Sequence, residues 1–389
     1  MNSENAEARV RDLLARAGVA VDGGRPWDIR VANPAFYRRA LDGGSLAVGE
    51  AYADGWWEAE RLDEFFHRVF KAGLHERLAP SPWSGWRSLA GRLFGRRGRT
   101  HAPEALGSDV FRAMLGRRMS GACAYWKDAR ALDDADEAAL ELACRKLELK
   151  AGMSVLDMGS GWGAFARYAA ERHGVSVVGV DISQERVQLA RELCKGLPVA
   201  LRVQDYEEVR GRFDRVVSLG LMEHAGAGSC RAVMAAAARC LKADGVALIH
   251  TAARNRAAGP RERWPAAGVL LEDGAPALSR LAAAAEGLFV IEDVHNLGTH
   301  YAPTLLAWHE NLARRWPGLS GRYGDRLYRT LTFGLLSTAG RFRARQGQLY
   351  QIVMTRPGRP QPRCRVEPAW PAAGSVGSPA LAEAAGPPP

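Results

Sequence analysis

Apolar positions in this chain follow two rhythms. From the start to about residue 88 they recur every three or four residues, most clearly in VRDLLARAGV (Val10–Val19) and RLDEFFHRVFKAGL (Arg61–Leu74), and this spacing predicts helices. Residues 108 to about 150 again read as helical. Beyond that, short apolar runs alternate with helical stretches. The runs Ser154–Met158, Ser176–Val180, Val199–Val203, Phe213–Leu219, Val246–Thr251, Leu288–Glu292 and Gln348–Thr355 read as strands. Strands alternating with helices predict an α/β fold, a parallel sheet with helices on both faces and a ligand at the carboxyl ends of its strands. The expected organisation is a smaller, mainly helical N-terminal domain (1–88), a basic linker (89–107), a catalytic domain (108–356) and a disordered Pro/Ala/Gly-rich tail (357–389).

One stretch carries most of the chemistry. VLDMGSGWGAF (Val155–Phe165) is an apolar run ending in an acid, followed by Gly159, Gly161 and Gly163. A strand, a tight turn and a helix follow from it, with bare backbone for a ligand to lie against. VVGVDIS (Val177–Ser183) then ends a second strand on Asp181, 24 residues after Asp157, where an acid can hold two ribose hydroxyls. The glycines read GxGxG rather than GxGxxG and no phosphate cradle is evident, which favours S-adenosylmethionine over NAD. Candidate cofactor contacts are Gly159, Ser160, Gly161, Trp162, Gly163, Asp181, Gln184, Asp205 and Tyr206. Asp157, Asp181, Asp205, Glu223 and His250 all fall at or just beyond predicted strand ends. That convergence points to one site.

Composition narrows the partners. The 389 residues carry a net charge of +10 and a pI near 9.6, which suits an anionic surface such as an acidic membrane. Arg92, Arg96, Arg97 and Arg99 in the linker would meet lipid headgroups or serve as a solvated connector. No RNA-binding motif or aromatic-basic repeat supports a nucleic-acid partner. Six cysteines show no metal-like spacing, so no metal is expected and a reducing cytoplasm fits. No run reaches the ~18 apolar residues of a membrane span, so membrane contact would be peripheral. The Trp56–Trp57 pair reads as core.

These residues resemble the cyclopropane-fatty-acyl-phospholipid synthases, S-adenosylmethionine-dependent enzymes related to the mycolic acid cyclopropane synthases. The resemblance runs from about Val10 to Arg356. It rests on GSLAVGEAYADGWWE, CAYWKDA, VLDMGSGWGAFA, FDRVVSLGLMEHAG, LIHT and FVIEDVHNLGTHYAPTLLAWHENL, among others. It implies a Rossmann-like class I methyltransferase sheet. It also implies transfer of a methylene group to a cis double bond of unsaturated phospholipid acyl chains. The family is understood to use bound bicarbonate as the base, because a carboxylate side chain beside the reacting centre risks trapping the cation. Its ligands fall on Cys123 (CAYW), Glu223 (LMEHAG), His250 (LIHT) and Tyr301 (THYAPT). Trp126 and Trp264 could face the cation. Taken singly, Cys123 and Tyr301 read more readily as core, while Trp126 and Trp264 read equally as ordinary packing. The resemblance also implies a homodimer joined through the N-terminal domain, peripheral at the inner face of the membrane.

Departures from the family surround this kept centre. PEALGSD (Pro103–Asp109) stands where relatives show HYDxGN, and Gly121–Ala122 where they show Tyr-Ser. WPAAGVLLEDG (Trp264–Gly274) keeps only the tryptophan and last glycine of another block, and Thr338 replaces a late cysteine. Ser160 replaces a cysteine in the turn, and Asp181 stands where relatives often have Thr. They leave open a diverged lipid methyltransferase, or a lipid- or cofactor-binding paralogue with little catalysis.

Overall fold

The computed structural model describes residues 3–77, 106–225, 229–256 and 275–363. Most of the linker, the Trp264 block and the tail beyond residue 363 lie outside them.

The apolar runs assemble into one seven-stranded sheet. β3 (Ser154–Met158), β5 (Val199–Val203) and β6 (Phe213–Leu219) match the expected spans, and β4 (Ser176–Asp181) ends one residue later than expected, on the acid. These follow a two-stranded N-terminal ladder of β1 (Arg30–Val31) and β2 (Trp57–Glu58). β7 spans Leu241–Arg254, longer than the apolar run. β8 occupies Val290–Asn296, not Leu288–Glu292. Leu288 donates its N–H back to Ala285 and Phe289 is buried, so these two residues close the preceding helix before the strand begins. β9 is Gly347–Thr355.

The strand order is β5-β4-β3-β6-β7-β9-β8. The first five are mutually parallel, but β9 runs antiparallel to both β7 and β8. The expectation of a wholly parallel sheet fails here for a topological reason. A single crossover helix returns the chain to the end where a parallel strand starts. Between β8 and β9 there are two long helices, Gly298–Arg315 and Ser320–Arg343, so the chain re-enters from the end it left.

In chain order the helices are α1 (Ser3–Ala15), α2 (Ala35–Ala53), α3 (Leu62–Lys71), α4 (Leu74–Arg77), α5 (Ser108–Met114), α6 (Leu132–Lys146), α7 (Ala164–His173), α8 (Gln184–Leu193), α9 (Met222–Ala225), α10 (Cys230–Cys240), α11 (Leu278–Ala285), α12 (Gly298–Arg315) and α13 (Ser320–Arg343). Side chains alternate across a strand, so each strand feeds two cores. Val155, Val217 and Leu248 meet α6 and α7 on one face; Leu156, Val216 and Ile249 meet α10 and α11 on the other.

Helices α1–α4 bury a core of their own that is completed by Phe333 and Leu336 of α13. Trp57 is its buried centre, donating its indole N–H to Val48 O at 2.9 Å, while its neighbour Trp56 lies under the Arg39 guanidinium. Gly340 sets how closely α3 and α13 approach. A Cβ there would stand 2.6 Å from Phe66 Cβ and 2.9 Å from Asp63 O. Among the described residues no helix is long and apolar enough to cross a membrane.

Candidate active site

Two groups of residues gather at the carboxyl edge of the sheet. The first follows β3. Gly159 and Ser160 donate their N–H groups to Val180 O, laying the glycine turn across the end of β4. Gly159, Gly161 and Gly163 all adopt positive φ, at 77°, 52° and 76°. A Cβ on Gly161 would meet nothing within 4 Å, so its bare backbone faces open space. Gly161 N–H donates to Asp181 Oδ2 at 3.1 Å and Ser183 N–H to Oδ1 at 2.8 Å. Each carboxylate oxygen keeps a lone pair, so Asp181 is fixed in place yet able to accept two hydroxyls.

The remaining candidates flank this cradle. Ser183 Oγ accepts from Arg186 N–H and caps α8, which opens on Gln184. Asp205, beyond β5, accepts from Glu207 N–H and caps the short turn holding Tyr206. Ser160 Oγ is buried without a partner. Trp162 is placed differently from its neighbours: it is buried in the core, its ring 5.3 Å from Phe111. Ile182, overlooked in the sequence, follows Asp181 with 76% of its surface exposed, an apolar side chain beside a polar cradle.

Asp157 lies behind the turn with Oδ2 unpartnered. Burial, and then the nearby Asp181, push its carboxyl up to about 7. Two neighbouring acids suit a cationic ligand. S-adenosylmethionine carries a sulfonium and an ammonium, so turn, strand-end acid and buried acid fit it together.

The second group comes from four distant segments. α9 follows β6 and carries Glu223, which is buried and accepts from Thr251 Oγ1 at 2.6 Å. His250, beside Leu219 in the sheet, is buried with both ring nitrogens unpartnered. Burial, reinforced by the charge of Lys146, pushes it down to about 3, so it is neutral at physiological pH. Tyr301 projects from the first turns of α12 against Phe342 and Trp308. Burial, and then Cys123 and Glu223, push its hydroxyl well above the ordinary range. Cys123 is also buried, which raises its thiol well above the usual value, and Sγ donates to Ala124 O. Tyr301 lies within electrostatic reach of both Cys123 and Glu223. His250 leaves its strand on the opposite face from Thr251, on the side of Lys146. Sequence reasoning missed Thr251, Thr304 and Asp136. Thr304 is wholly buried between Tyr301's helix and the Cys123 segment. Asp136 is buried with both oxygens unpartnered, and burial followed by Asp133 pushes it up to about 8. The signal for Thr304 was its place one helical turn after Tyr301.

A sheet of this order with a glycine turn after its first parallel strand and an acid ending the next defines a class I S-adenosylmethionine-dependent methyltransferase. Comparison with known proteins narrows this. A family model described as mycolic acid cyclopropane synthetase matches residues 99–352. The cyclopropane-fatty-acyl-phospholipid synthase of Escherichia coli K12 is 43% identical over 352 residues, covering 89% of this chain and 92% of its own. The chain belongs to the cyclopropane synthase family. Among solved structures, the cyclopropane synthase MmaA2 from Mycobacterium tuberculosis superposes with a TM-score of 0.60 at 26% identity, covering 64% of this chain and 94% of its own. Coclaurine N-methyltransferase, at 18% identity and a TM-score of 0.64, covers 79% of this chain and 99% of its own and shares the fold. The protein is an S-adenosylmethionine-dependent transferase.

Proposed function

We propose that this enzyme adds a methylene group to the cis double bond of unsaturated phospholipid acyl chains. The carrying observation is a glycine-turn cofactor cradle in a chain 43% identical to a cyclopropane-fatty-acyl-phospholipid synthase, and the burial of Cys123, Glu223, neutral His250 and Tyr301 supports the same reading. S-adenosylmethionine, when bound, supplies an electrophilic methyl group. Gly159, Ser160, Gly161 and Gly163 present backbone to it, Asp181 holds its ribose, Gln184, Asp205 and Tyr206 border its base, and Trp162 backs the turn. The alkene forms a bond to the methyl carbon as the carbon–sulfur bond breaks. Loss of a proton from that carbon then frees the electron pair that closes the ring.

The proton acceptor in this reading is a bicarbonate ion. Glu223 would accept from its hydroxyl, while Tyr301 and His250 would donate to its oxygens. The Cys123 segment supplies a further donor. His250 suits the role because a neutral imidazole can donate without holding a permanent charge against the cation. Burial keeps water, a competing nucleophile, away. The basic balance of the chain supports docking to an anionic membrane surface, weakened by salt. We read residues 1–88 as a helical domain that also joins two copies, 89–107 as a basic linker, 108–356 as the catalytic domain and the rest as a tail.

The test is to incubate the purified protein with labelled S-adenosylmethionine and vesicles of cis-unsaturated phospholipid, then analyse the lipids by mass spectrometry. A product heavier by one methylene with its double bond lost supports the reading. A methyl-branched product points to a diverged lipid methyltransferase, and no transfer to a binding paralogue.

A further inference from the structure

The geometry points to Thr304 as a positioning residue that clamps the Cys123–Trp126 segment to the helix carrying Tyr301. A threonine hydroxyl has one hydrogen to give and two lone pairs to accept with. In Thr304 all three are used. Oγ1 donates to His300 O at 2.8 Å, and accepts from Ala124 N–H at 3.2 Å and from the Trp126 indole N–H at 2.9 Å. Cys123 Sγ lies 4.0 Å from that oxygen, a long contact beside its shorter 3.3 Å bond to Ala124 O, so the thiol adds little to the clamp.

The placement matters because Thr304 stands three residues after Tyr301 on α12. Residues at that spacing share a helix face. One hydroxyl therefore ties the Cys123 segment to the face that presents Tyr301. A second tie runs parallel to it: Trp126 N–H donates to His300 Nδ1 at 3.0 Å. Tyr125 N–H, between them, is spent on Ala135 O. Thr304 is wholly buried, so no water can substitute for it when the hydroxyl is lost. The segment would then shift relative to Tyr301 by a fraction of an ångström or more. Misplacements of about 1 Å can cost on the order of a hundredfold in rate.

This inference rests on the reading of Cys123 and Tyr301 as neighbours in the reacting site. Its test compares Thr304→Val, which keeps the shape and loses the hydroxyl, with Thr304→Ser, which keeps the hydroxyl. In the full-length protein Thr304→Val should lower kcat about ten- to a hundred-fold while the Kd for S-adenosylmethionine stays within about threefold. Thr304→Ser should recover kcat to within about threefold of the parent. A folded Thr304→Val with parental kcat, or a serine variant as slow as the valine one, overturns the proposal. If the valine variant does not fold, Trp126→Phe removes a single bond to the same hydroxyl, and a parental kcat in it is equally fatal. Hydrogen exchange over residues 119–126 reads the clamp without turnover. It should rise in Thr304→Val and return in Thr304→Ser, and unchanged exchange overturns the clamp whatever the lipid assay gives. A parent inactive on vesicles, by contrast, counts against the functional reading alone.

Discussion

At Asp181 the carboxylate is tied and the surface before it is open, while Ser160 Oγ and Asp157 Oδ2 behind the turn are buried without partners. Asp181 is held by two backbone N–H groups, Gly161 faces free space and Ile182 is exposed. Glu223 is tied as well, by Thr251 Oγ1, but it and its surroundings are closed to solvent. Cys123, Glu223, His250 and Tyr301 are all buried, and both nitrogens of His250 wait without partners. The first arrangement suits a soluble ligand that must enter and leave each turnover. The second suits a dry centre whose polar groups are reserved for something held there. Burial of polar groups without partners costs stability, so such a cluster marks function more surely than a satisfied one.

The contrast is broken most severely at Glu223. Glu223→Gln keeps the shape and removes the charge. Transfer should fall by roughly ten- to a thousand-fold while cofactor affinity is unchanged. His250→Ala should act on the same step, and the double variant should lose far less than the product of the singles. Fully multiplicative losses in kcat would place the two residues in separate sites.

On the open side, Gly161→Val puts a branched side chain where φ is 52° and fills the space before the cradle. Calorimetry should show S-adenosylmethionine binding weakened about a hundredfold, on the order of 3 kcal/mol, with the fold retained. Parental affinity would remove the cradle from its assigned role.

A smaller effect follows from Asp157. Its carboxyl, raised to about 7, is protonated at low pH and becomes an anion as pH rises. A cation binds the ionised form better, so affinity for S-adenosylmethionine should increase about tenfold from pH 5.5 to 7. Asp157→Asn should flatten that dependence, and a slope unchanged by the substitution would assign it elsewhere.

The smallest change is expected at Gly121–Ala122. A Cβ on Gly121 meets nothing within 4 Å, so a larger side chain has room. Restoring hydroxyls with Gly121→Tyr and Ala122→Ser should tighten cofactor binding up to about tenfold, at roughly 0.5–1.5 kcal/mol per bond. Weaker binding in titration would mean a remodelled pocket and favour a diverged transferase.

The same two regions explain what the sequence could reveal. The cradle is local: a strand, a turn and a second strand lie within 30 residues, so spacing alone exposes Gly159–Gly163 and Asp181. Positions 123, 223, 250 and 301 are all buried but far apart in the chain, and no periodicity connects them; only resemblance to a family picked them out. Thr304 stayed hidden because a threonine in a helix reads as ordinary until its three partners are known. β8 was misplaced because VIEDVHN is a mostly polar strand on a half-exposed edge with no apolar periodicity, whereas the continuous apolar run, Leu288–Ile291, begins just before it. β9 was found as a strand but not as a reversed one, since direction depends on the number of helices before it.

That reversed strand also imposes an order on synthesis. β8 has β9 as its neighbour in the sheet, and Leu297 at the head of α12 gives its N–H to Leu349 of β9. A nascent chain leaves the ribosome from its N-terminus, so Glu223, His250 and Tyr301 all emerge before residues 347–355. The parallel strands can pair as they appear, but β8 waits at the margin with its ladder groups unpaired, and the start of α12 waits with it. The cofactor cradle can thus form while the protein is still being made, whereas the dry centre closes only when the final strand slides between two strands already made.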